Sequence, residues 1–521
     1  MLFLYSTTIA QTFTPEDTLK GSLTSARLCF DVTSYHLHVK VDPELRLVQG
    51  SNRISFKVLE TTRQIQLDLF ENMEIDSVMG WGQQLSFRRR FGTFWVSTPK
   101  ELQPGSEVQQ IEIFYKGQPL AAKNAPWEGG FVWQKDNNGF DWVGVACQGE
   151  GASLWYPCKD HVSDEPDSVQ VSLTVPKNYT GVSNGKLAGT TFGKDWDTFL
   201  WKVTYPINPY NVTINVAKYA YFNDEYVAAD GTILPLHYYV LPYNIEEAKK
   251  HFEQVKGMLK VYEELFGKYP FWRDGYKLVE SHYWGMEHQS CVAYGNKYRN
   301  NEFGFDFIII HESGHEYWGN QVSMNDRAHM WIHESFCTYT EALFVEKTQG
   351  KDAMLRYLDK QKKLIKNKSP LLGDRGIAYN YWQDSDIYYR GTWMLHTLRN
   401  MLNDDDRWFA MLKALPTQFA HKTTDSEAVV DFMCNQLGKP WQSFIFAYLT
   451  DKNPPLLDMK PMGKDSLAIR WNNPALQAGY PIIFKNKAGE LKRLEVKHDW
   501  QTFYLPKTWK LAGELMYVRE K

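Results

Sequence analysis

Residues 311–334, HESGHEYWGNQVSMNDRAHMWIHE, constrain this chain more than any other stretch of its 521 residues. His311 and His315 are four positions apart, which on an α-helix places both imidazoles on one face, about one turn apart. Two imidazoles in that arrangement can both reach one Zn²⁺ at about 2.0–2.1 Å. The pattern therefore predicts a helix that presents a pair of metal ligands.

Two carboxylates complete the predicted site. Residues 316–333, eighteen in number, separate His315 from Glu334, which we predict to be the third ligand. Three protein ligands leave one position of a tetrahedral zinc open for water, which is typical of a catalytic site. Glu312, beside the first histidine, is the candidate general base for that water. We therefore expect one catalytic Zn²⁺ per chain.

The sequence around these residues favours a zinc hydrolase over a pair of surface histidines. The apolar run 307–310 directly precedes the motif and would anchor its helix in a core. Glu334 lies in a second stretch, 331–346, in which apolar residues recur at helical spacing. An HExxH pattern alone is a moderate signal for a zinc site, and these two features of the surrounding sequence strengthen it.

Composition indicates a globular protein of several domains. At roughly 150 residues per domain, this length predicts about three domains. The net charge is −3 and the sequence contains no dense basic patch, which argues against nucleic acid as a partner. Aromatic residues make up 15% of the chain, which favours a large core and aromatic-lined clefts. No apolar run approaches the roughly 18 residues of a transmembrane helix, so we expect no integral membrane segment.

The cysteines and the N-terminus bear on the cellular compartment. Six cysteines are too few for a disulfide scaffold, so we expect mostly buried thiols and leave one disulfide open. Residues 1–14 are apolar and end near small residues but lack a basic start, so we interpret them as a signal-peptide remnant or a disordered terminus. We expect a periplasmic or secreted protein, with the cytoplasm as the alternative.

Hydrophobic periodicity divides the chain into three regions. From about residue 27 to residue 240, apolar and polar residues alternate with a period of two, which predicts an all-β domain. Helical spacing follows and predicts a mainly helical domain. Beyond Pro454 short alternating stretches return and predict a small β domain. The most regular predicted strands are 35–41, 52–58, 64–69, 467–471, 480–484, 491–496 and 501–505.

Local signals set the predicted helix ends and domain boundaries. Asn244 is the predicted N-cap of a helix that runs to Phe266 and stops at Gly267. Residues 424–427 form a predicted capping box before a helix that ends at Gly438. We predict a multidomain α+β protein with domains at 15–243, 244–453 and 454–521.

Two further side chains have chemistry that would suit this site, although spacing alone does not assign them. Glu287 lies upstream of the motif and could bind the α-ammonium of a peptide, which would restrict action to the N-terminus. On spacing alone, a solvated surface carboxylate is the simpler interpretation. Tyr388 could donate a hydrogen bond to an oxyanion, but a core or rim role is the simpler interpretation in a chain with 30 tyrosines.

Four separated motifs resemble those of one family, in that family's order. HEYWGNQVSM followed by WIHESF resembles the HExxHxWxGNxVTM…WLNEGF signature of the aminopeptidase N and leukotriene hydrolase family of gluzincins. WGMEH resembles its GxMEN exopeptidase motif, YYRG its YxKG motif, and YPCKDHVSDEPDS its PCxDEP segment. The resemblance covers nearly the whole chain. It implies a saddle-like N-terminal β domain, a thermolysin-like catalytic domain and a small C-terminal β-sandwich.

The resemblance also implies a chemical role for each motif residue. His311, His315 and Glu334 match the family's zinc ligands, and Glu312 matches the base that activates water and passes a proton to the leaving amine. Tyr388 matches the tyrosine that stabilises the oxyanion. The implied activity is that of a zinc aminopeptidase.

Substrate-binding residues are implied in the same way. Glu287 matches the glutamate that holds the substrate α-amine, and Gly285 and Met286 stand beside it in the same motif, where Met286 lines the first side-chain pocket. Gln148 matches a second residue that contacts the amine, with Glu150 as its competitor for that role. The expected partners are peptides with a free N-terminus, and a monomer is the favoured oligomeric state.

The sequence also departs from the family pattern at several positions. Trp284 and His288 replace the first glycine and the final asparagine of GxMEN, which reshapes the loop or pocket around Glu287. His333 replaces the asparagine before the third ligand, and Arg390 replaces the lysine of YxKG. His329 replaces an aspartate, so we expect a different contact around the metal ligands.

Three alternatives differ in what they require of these residues. A thermolysin-type endopeptidase needs no amine anchor, and an epoxide hydrolase would be a narrow specialisation of the same fold. A non-enzymatic scaffold would be expected to lose ligands or base, whereas all four are present. The sequence ends at residue 521 without the family's large C-terminal helical domain, so we expect an open active site that accepts longer peptides.

Overall fold

Strands dominate the first part of the chain. The computed structural model describes residues 13–378 and 384–521. Residues 1–12 of the predicted signal-peptide remnant therefore lie outside the described residues. Thr14 begins the first helix with a reciprocal capping box to Asp17. The elements are α1 (Pro15–Gly21), α2 (Ser25–Leu28), β1 (Phe30–Asp42), β2 (Leu47–Val58), β3 (Thr62–Asp68), β4 (Met73–Gly80), β5 (Gln83–Gln84), β6 (Phe87–Arg90), β7 (Thr93–Leu102), β8 (Val108–Gly117), β9 (Gly130–Lys135), β10 (Asp141–Ala146), β11 (Ser168–Pro176), β12 (Thr180–Ser183), β13 (Lys186–Phe192), β14 (Trp196–Val203) and β15 (Ile214–Ala217).

Eight of these strands form one large sheet in the order β13-β14-β11-β1-β2-β8-β4-β5. Strand β1 pairs antiparallel with β2 and parallel with β11. Its alternating sequence buries Tyr35, Leu37 and Val39 on one face, as a period of two requires. The same part of the chain also forms two smaller sheets, one of four strands (β12-β15-β10-β9) and one of three strands (β3-β7-β6). The prediction of a β-rich N-terminal region is confirmed.

A mixed five-stranded sheet carries one wall of the cleft described below. Its order is β16-β17-β18-β20-β19, so β19 is an edge strand. Strand β17 pairs in parallel with β18, across the domain boundary predicted at residue 243. A boundary between Ala217 and Ala220 would keep this sheet in one domain. The sequence did not indicate this, because alternation shows that a stretch is a strand but not which sheet the strand joins. The elements are β16 (Ala220–Val227), β17 (Ile233–Val240), α3 (Ile245–His251), α4 (Gln254–Phe266), β18 (Tyr276–Glu280), β19 (Gly285–Met286) and β20 (Val292–Tyr294).

The helix predicted over 244–266 is two helices in the structure. The chain turns at Phe252, whose ring packs 5.2 Å from that of Tyr238 on the sheet, between the end of α3 and the start of α4. Asn244 is the N-cap residue of α3, as predicted, but its side chain makes no capping hydrogen bond, because its Nδ2 donates to Glu280 Oε1 at 2.6 Å.

Helices form most of the following region, which confirms the prediction of a mainly helical part. Asp425, and not Thr424 of the predicted capping box, is the N-cap of α10 and accepts from the Ala428 N–H at 2.8 Å. The helix ends at Gly438, as predicted. The elements are α5 (Phe307–Gly314), β21 (Val322–Met324), α6 (Trp331–Gln349), α7 (Lys351–Lys362), α8 (Asp386–Leu402), α9 (Asp405–Gln418), β22 (Lys422–Thr424), α10 (Ser426–Leu437) and α11 (Gln442–Thr450).

Two small sheets end the chain. The four strands predicted here agree with observed strands to within one residue at each end. Their orders are β27-β24-β23-β29 and β26-β25-β28. How the two sheets pack into a sandwich stays a prediction. The strands are β23 (Leu456–Pro461), β24 (Ser466–Trp471), β25 (Tyr480–Lys485), β26 (Leu491–Val496), β27 (Gln501–Tyr504), β28 (Lys510–Leu511) and β29 (Arg519–Glu520).

Two predictions about composition can be compared with the structure. All six cysteines are buried free thiols, and the disulfide left open by the sequence does not form. Within residues 13–378 and 384–521, every helix is too short or too polar to cross a membrane.

Candidate active site

Helix α5 brings the two histidines of the HExxH motif together. The Asp306 side chain caps its start by accepting from the N–H groups of Ile308 and Ile309, and the apolar turn that comes next is buried. The helix ends at Gly314, and His315 follows directly with helical backbone angles. The Nε2 atoms of His311 and His315 therefore face each other at 3.3 Å.

Glu334, in the first turn of α6, supplies a third donor atom at the same point. Its Oε2 lies 3.7 Å from His311 Nε2 and 3.3 Å from His315 Nε2. Donors around a tetrahedral zinc at about 2.0–2.1 Å would be roughly 3.3 Å apart. This oxygen is buried and has no hydrogen-bond partner among the described residues. The donor set therefore fits one Zn²⁺ in type, number and spacing.

Each imidazole is oriented from behind by an acceptor. His311 Nδ1 lies 2.6 Å from Glu341 Oε1, and His315 Nδ1 lies 2.8 Å from the Trp318 carbonyl oxygen. Because both partners only accept, Nδ1 carries the proton in each ring and the Nε2 lone pair faces the third donor. Burial would raise the pKa of Glu334, but the imidazoles of His315 and His311, when they are protonated, hold that pKa well below its usual value.

Glu341 is a functional candidate that the sequence reasoning missed. Its second oxygen accepts from the Tyr357 hydroxyl at 2.5 Å and from Gln361 Nε2 at 3.1 Å, so it is held on both sides. The signal was available in the sequence, because Glu341 follows Glu334 by seven residues and so lies on the same face of α6.

Glu312 and Gly285 contact each other at the floor of the cleft. A Cβ atom at position 285 would lie 2.4 Å from Glu312 Oε1 and 2.9 Å from Ile308 Cγ2. Only glycine leaves room for the carboxylate in this position. Burial outweighs the neighbouring imidazoles and raises the pKa of Glu312 to about 7. A bound dication would lower this pKa.

Glu287 is a buried carboxylate whose hydrogen-bond donors are neutral. Its Oε1 accepts from Gln148 Nε2 at 2.6 Å and from the Tyr210 hydroxyl at 3.1 Å. Gln148 Nε2 also lies 3.3 Å from Glu334 Oε1, which links this group to the metal donors. Burial raises the pKa of Glu287. A cationic group bound in this pocket would restore the charged carboxylate.

The loop that carries Glu287 is fixed by residues just after the metal motif. Asn320 Nδ2 donates to the Glu287 carbonyl oxygen at 2.9 Å, and the Ser290 N–H donates to Glu316 Oε1 at 2.7 Å. Both partners are fully or almost fully buried. The position of the Glu287 loop is therefore coupled to that of His315.

The remaining predicted residues lie around one cleft. Tyr388, in the first turn of α8, is half-buried, and its ring centre is 6.1 Å from that of His311. Glu150 lies outside the cleft, where its Oε1 accepts from the Gly129 N–H at 2.7 Å. The cleft together with its opening to solvent holds about 790 Å³ that no protein atom occupies. Its lining includes Trp127, Gln148, Trp284, Gly285, Met286, Glu287, Phe307, His311, Glu312, His315, Glu334, Glu341 and Tyr388.

Most of the departures from the family pattern lie in the interior. Arg390 is fully buried and donates to the carbonyl oxygens of Tyr448 and Asp451 at 3.1 and 2.7 Å, so its charge supports α8 rather than the cleft. His288 and His333 are fully buried. His329 Nδ1 lies 2.8 Å from Ser426 Oγ on α10. The carboxylate that contacts His311 Nδ1 comes from Glu341 instead.

An HExxH helix with a more distant glutamate as the third donor is the arrangement of the gluzincin class of zinc peptidases. Two family models from this class match the chain. The model for the peptidase M1 N-terminal domain matches residues 32–210, and that for the peptidase family M1 domain matches residues 251–448. The chain belongs to peptidase family M1, whose members use a catalytic zinc ion.

Relatives and solved structures agree with this assignment. An aminopeptidase A of Gloydius brevicauda is 22% identical over 95% of this chain and 58% of its own length. A glutamyl aminopeptidase of Bitis rhinoceros is 22% identical over 67% of this chain and 37% of its own length. The chain thus spans between about a third and three fifths of these relatives.

Solved structures show the same fold. The M1 zinc metallopeptidase of Deinococcus radiodurans, as a mutant bound to a Tyr-Ser-Ala substrate, superposes with a TM-score of 0.68. It is 22% identical and covers 82% of this chain and 95% of its own. Another structure of the Deinococcus radiodurans enzyme gives the same TM-score at 21% identity, with coverage of 82% and 94%.

Proposed function

We propose that this protein is a zinc-dependent aminopeptidase that removes the N-terminal residue from peptides. One observation carries the proposal: Glu287, a buried carboxylate with neutral donors, shares a cleft with three donors spaced for zinc. A substrate α-ammonium would supply the positive charge that this carboxylate lacks. The names of the two relatives, both aminopeptidases, support the same activity.

The proposed chemistry places one role on each side chain of the metal centre. His311, His315 and Glu334 would hold Zn²⁺, which when bound polarises the scissile carbonyl and lowers the pKa of a coordinated water towards about 7. Glu312 takes a proton from the attacking water and delivers it to the nitrogen of the leaving amine. Its contact with Gly285 fixes the carboxylate for both transfers.

The remaining cleft residues bind the substrate and stabilise charge. The Tyr388 hydroxyl donates a hydrogen bond to the oxyanion that forms from the scissile carbonyl. Glu287 and Gln148 hold the free α-amine, and Met286 lines the pocket for the first side chain. Because the amine is fixed at a set distance from the donors, one residue is released in each cycle.

A panel of aminoacyl fluorogenic substrates and their N-acetylated forms tests this function. We expect cleavage of the free-amine substrates alone, loss of activity with a zinc chelator, and recovery when Zn²⁺ is added back. Equal cleavage of acetylated substrates would overturn the aminopeptidase assignment. Activity that is indifferent to the chelator would overturn the zinc mechanism.

Replacing Glu341 with glutamine should weaken zinc binding. The amide would still contact His311 Nδ1 but would remove the negative charge that supports the imidazole, and changes of this kind lower metal affinity by about 10- to 100-fold. Competition with a chromogenic chelator measures that affinity. Glu346→Gln, on the same helix and paired with Arg399, is the matched control. Equal affinity in the two variants would contradict a role for Glu341.

Replacing Gly285 with alanine should lower kcat more than it changes zinc content. The added Cβ would meet Glu312 Oε1 at 2.4 Å, so the carboxylate must move. A displacement near 1 Å at a catalytic group costs up to about 10²-fold in rate. Steady-state kinetics with metal analysis would show the loss. Gly257→Ala, at a glycine of α4 that also lacks a left-handed φ but has open space around its Cβ, is the matched control.

Three further features are proposed for the whole chain. Its proposed domains are residues 15–243, 244–453 and 454–521. The boundary between the first two domains lies nearer residue 218 if the five-stranded sheet belongs to one domain. The two C-terminal sheets are proposed to pack as a sandwich. Substrates with free N-termini in the periplasm or outside the cell are proposed as its targets, with the monomer as the active form.

A further inference from the structure

Two half-exposed tryptophans meet at the mouth of the cleft. The side chains of Trp127 and Trp284 are 53% and 43% exposed, and their ring centres lie 6.0 Å apart. Single exposed aromatic residues are common on protein surfaces and need no explanation. This tryptophan pair differs, because its members come from distant parts of the chain and line the same cleft as His311 and Glu312.

The Trp284 ring is held in one orientation. It stacks on Phe307 with ring centres 5.3 Å apart and an angle of 30°, and Phe307 stacks in turn on His311 at 5.3 Å. The indole N–H donates to Asn296 Oδ1 at 3.1 Å. A large aromatic surface that is already fixed loses little conformational entropy when a ligand covers it.

The order of residues along β19 places the tryptophan pair relative to the bond that is cut. Glu287, which we assign to the substrate amine, is preceded along the chain by Met286, Gly285 and Trp284. Gly285 contacts Glu312, the proposed base for the leaving amine. At about 3.3 Å per residue, Trp284 is roughly 10 Å beyond Glu287. The tryptophan pair is therefore on the side of the leaving peptide.

The edge position of β19 gives an extended peptide a way to lie along this direction. An edge strand has unpaired backbone groups that can accept another strand. A peptide whose amine is at Glu287 and whose first bond is at Glu312 would extend past Trp284. Its second and third residues would then be next to the tryptophan pair.

We infer that Trp127 and Trp284 form a specificity subsite for the leaving part of the substrate, which favours aromatic side chains at the second or third residue. This inference rests on the proposed aminopeptidase function. Aromatic contacts of this kind favour a ligand by up to about tenfold beyond simple burial. The subsite therefore selects peptides by the side chains on the leaving side of the bond that is cut.

Tripeptides that share the first residue and carry either alanine or phenylalanine at the second or third position test the inference. The first residue is the one that the protein cleaves fastest from its amino acid amide. We expect kcat/KM to be about tenfold higher with phenylalanine at one of the two positions. In Trp127→Ala and Trp284→Ala this preference should fall to about twofold or less, and Trp284→Phe should keep most of it.

The controls separate this inference from the aminopeptidase function. Hydrolysis of the amino acid amide has no leaving side chain and should be unchanged in Trp127→Ala. Trp284 stacks through Phe307 on His311, so for its two variants the preference is measured as the ratio of kcat/KM for the phenylalanine and alanine peptides within the same variant. Trp500→Ala, which removes a tryptophan of similar exposure from the turn between β26 and β27, should leave the preference intact. Amide hydrolysis without any preference for phenylalanine in the unmodified protein would overturn the subsite alone. Absence of amide hydrolysis would overturn the aminopeptidase function. A change confined to first-residue selectivity would place the tryptophan pair on the wrong side of the bond.

Discussion

Glu312→Gln is expected to lower kcat by about 10³- to 10⁴-fold, the upper part of the range for loss of a general base. The amide has nearly the shape of the carboxylate, so it fits beside Gly285, but it cannot take a proton from water. None of the three metal donors changes, and the zinc content should remain at one ion per chain. Steady-state kinetics together with metal analysis would test both parts.

Loss of activity in Glu312→Gln must be separated from loss of structure. The position is buried, so a thermal unfolding midpoint should accompany the kinetics. Glu264→Gln changes an acid on the exposed side of α4 and should behave as the unmodified protein. Near-normal turnover in Glu312→Gln would remove this residue from the role of base. Loss of zinc together with turnover would instead indicate a structural role.

Glu287→Gln is expected to reduce kcat/KM for peptides by about 10²-fold, because breaking a buried charged pair costs a factor of this size or more. Gln148 and Tyr210 would still contact the new side chain, but the charge that attracts the α-ammonium would be lost. The ratio of activity on free and N-acetylated substrates should fall by a similar factor. Kinetics on matched pairs of substrates would measure both changes.

Glu150→Gln is the matched control for the amine pocket. Glu150 is a partly buried acid two residues after Gln148, yet it lies outside the cleft and accepts from the Gly129 N–H. Its substitution should leave both kcat/KM and the preference for free amines unchanged. Equal effects of Glu150→Gln and Glu287→Gln on the preference for free amines would contradict the amine-binding role of Glu287.

The metal donors could be foreseen because their arrangement is mostly local. Two histidines one helical turn apart stay together in any fold that keeps the helix, and the structure brings their Nε2 atoms to 3.3 Å. The resemblance to a known family placed Glu334 and Glu287 in the same cleft before any distance was known. The β-rich and helical regions could be predicted from periodicity alone.

Other features depend on contacts between distant residues and could not be foreseen. Tyr210 reaches Glu287 across 77 positions of sequence, and its own surroundings look like an ordinary turn. Strand β17 alternates like the strands before it but joins the sheet of β18. Trp127 meets Trp284 only because two loops converge, so periodicity contained no sign of the pair.

The proposed amine pocket joins two parts of the chain that separate family models match. Gln148 and Tyr210 lie in the N-terminal match, while Glu287 and the metal donors lie in the catalytic match. Under the proposed function, recognition of the chain end therefore uses residues of both matched regions, whereas cleavage of the bond uses residues of the catalytic match alone. Substitutions at Gln148 or Tyr210 are therefore expected to change which chain ends are accepted without altering a metal ligand. Selectivity can in this way evolve while the chemistry stays fixed.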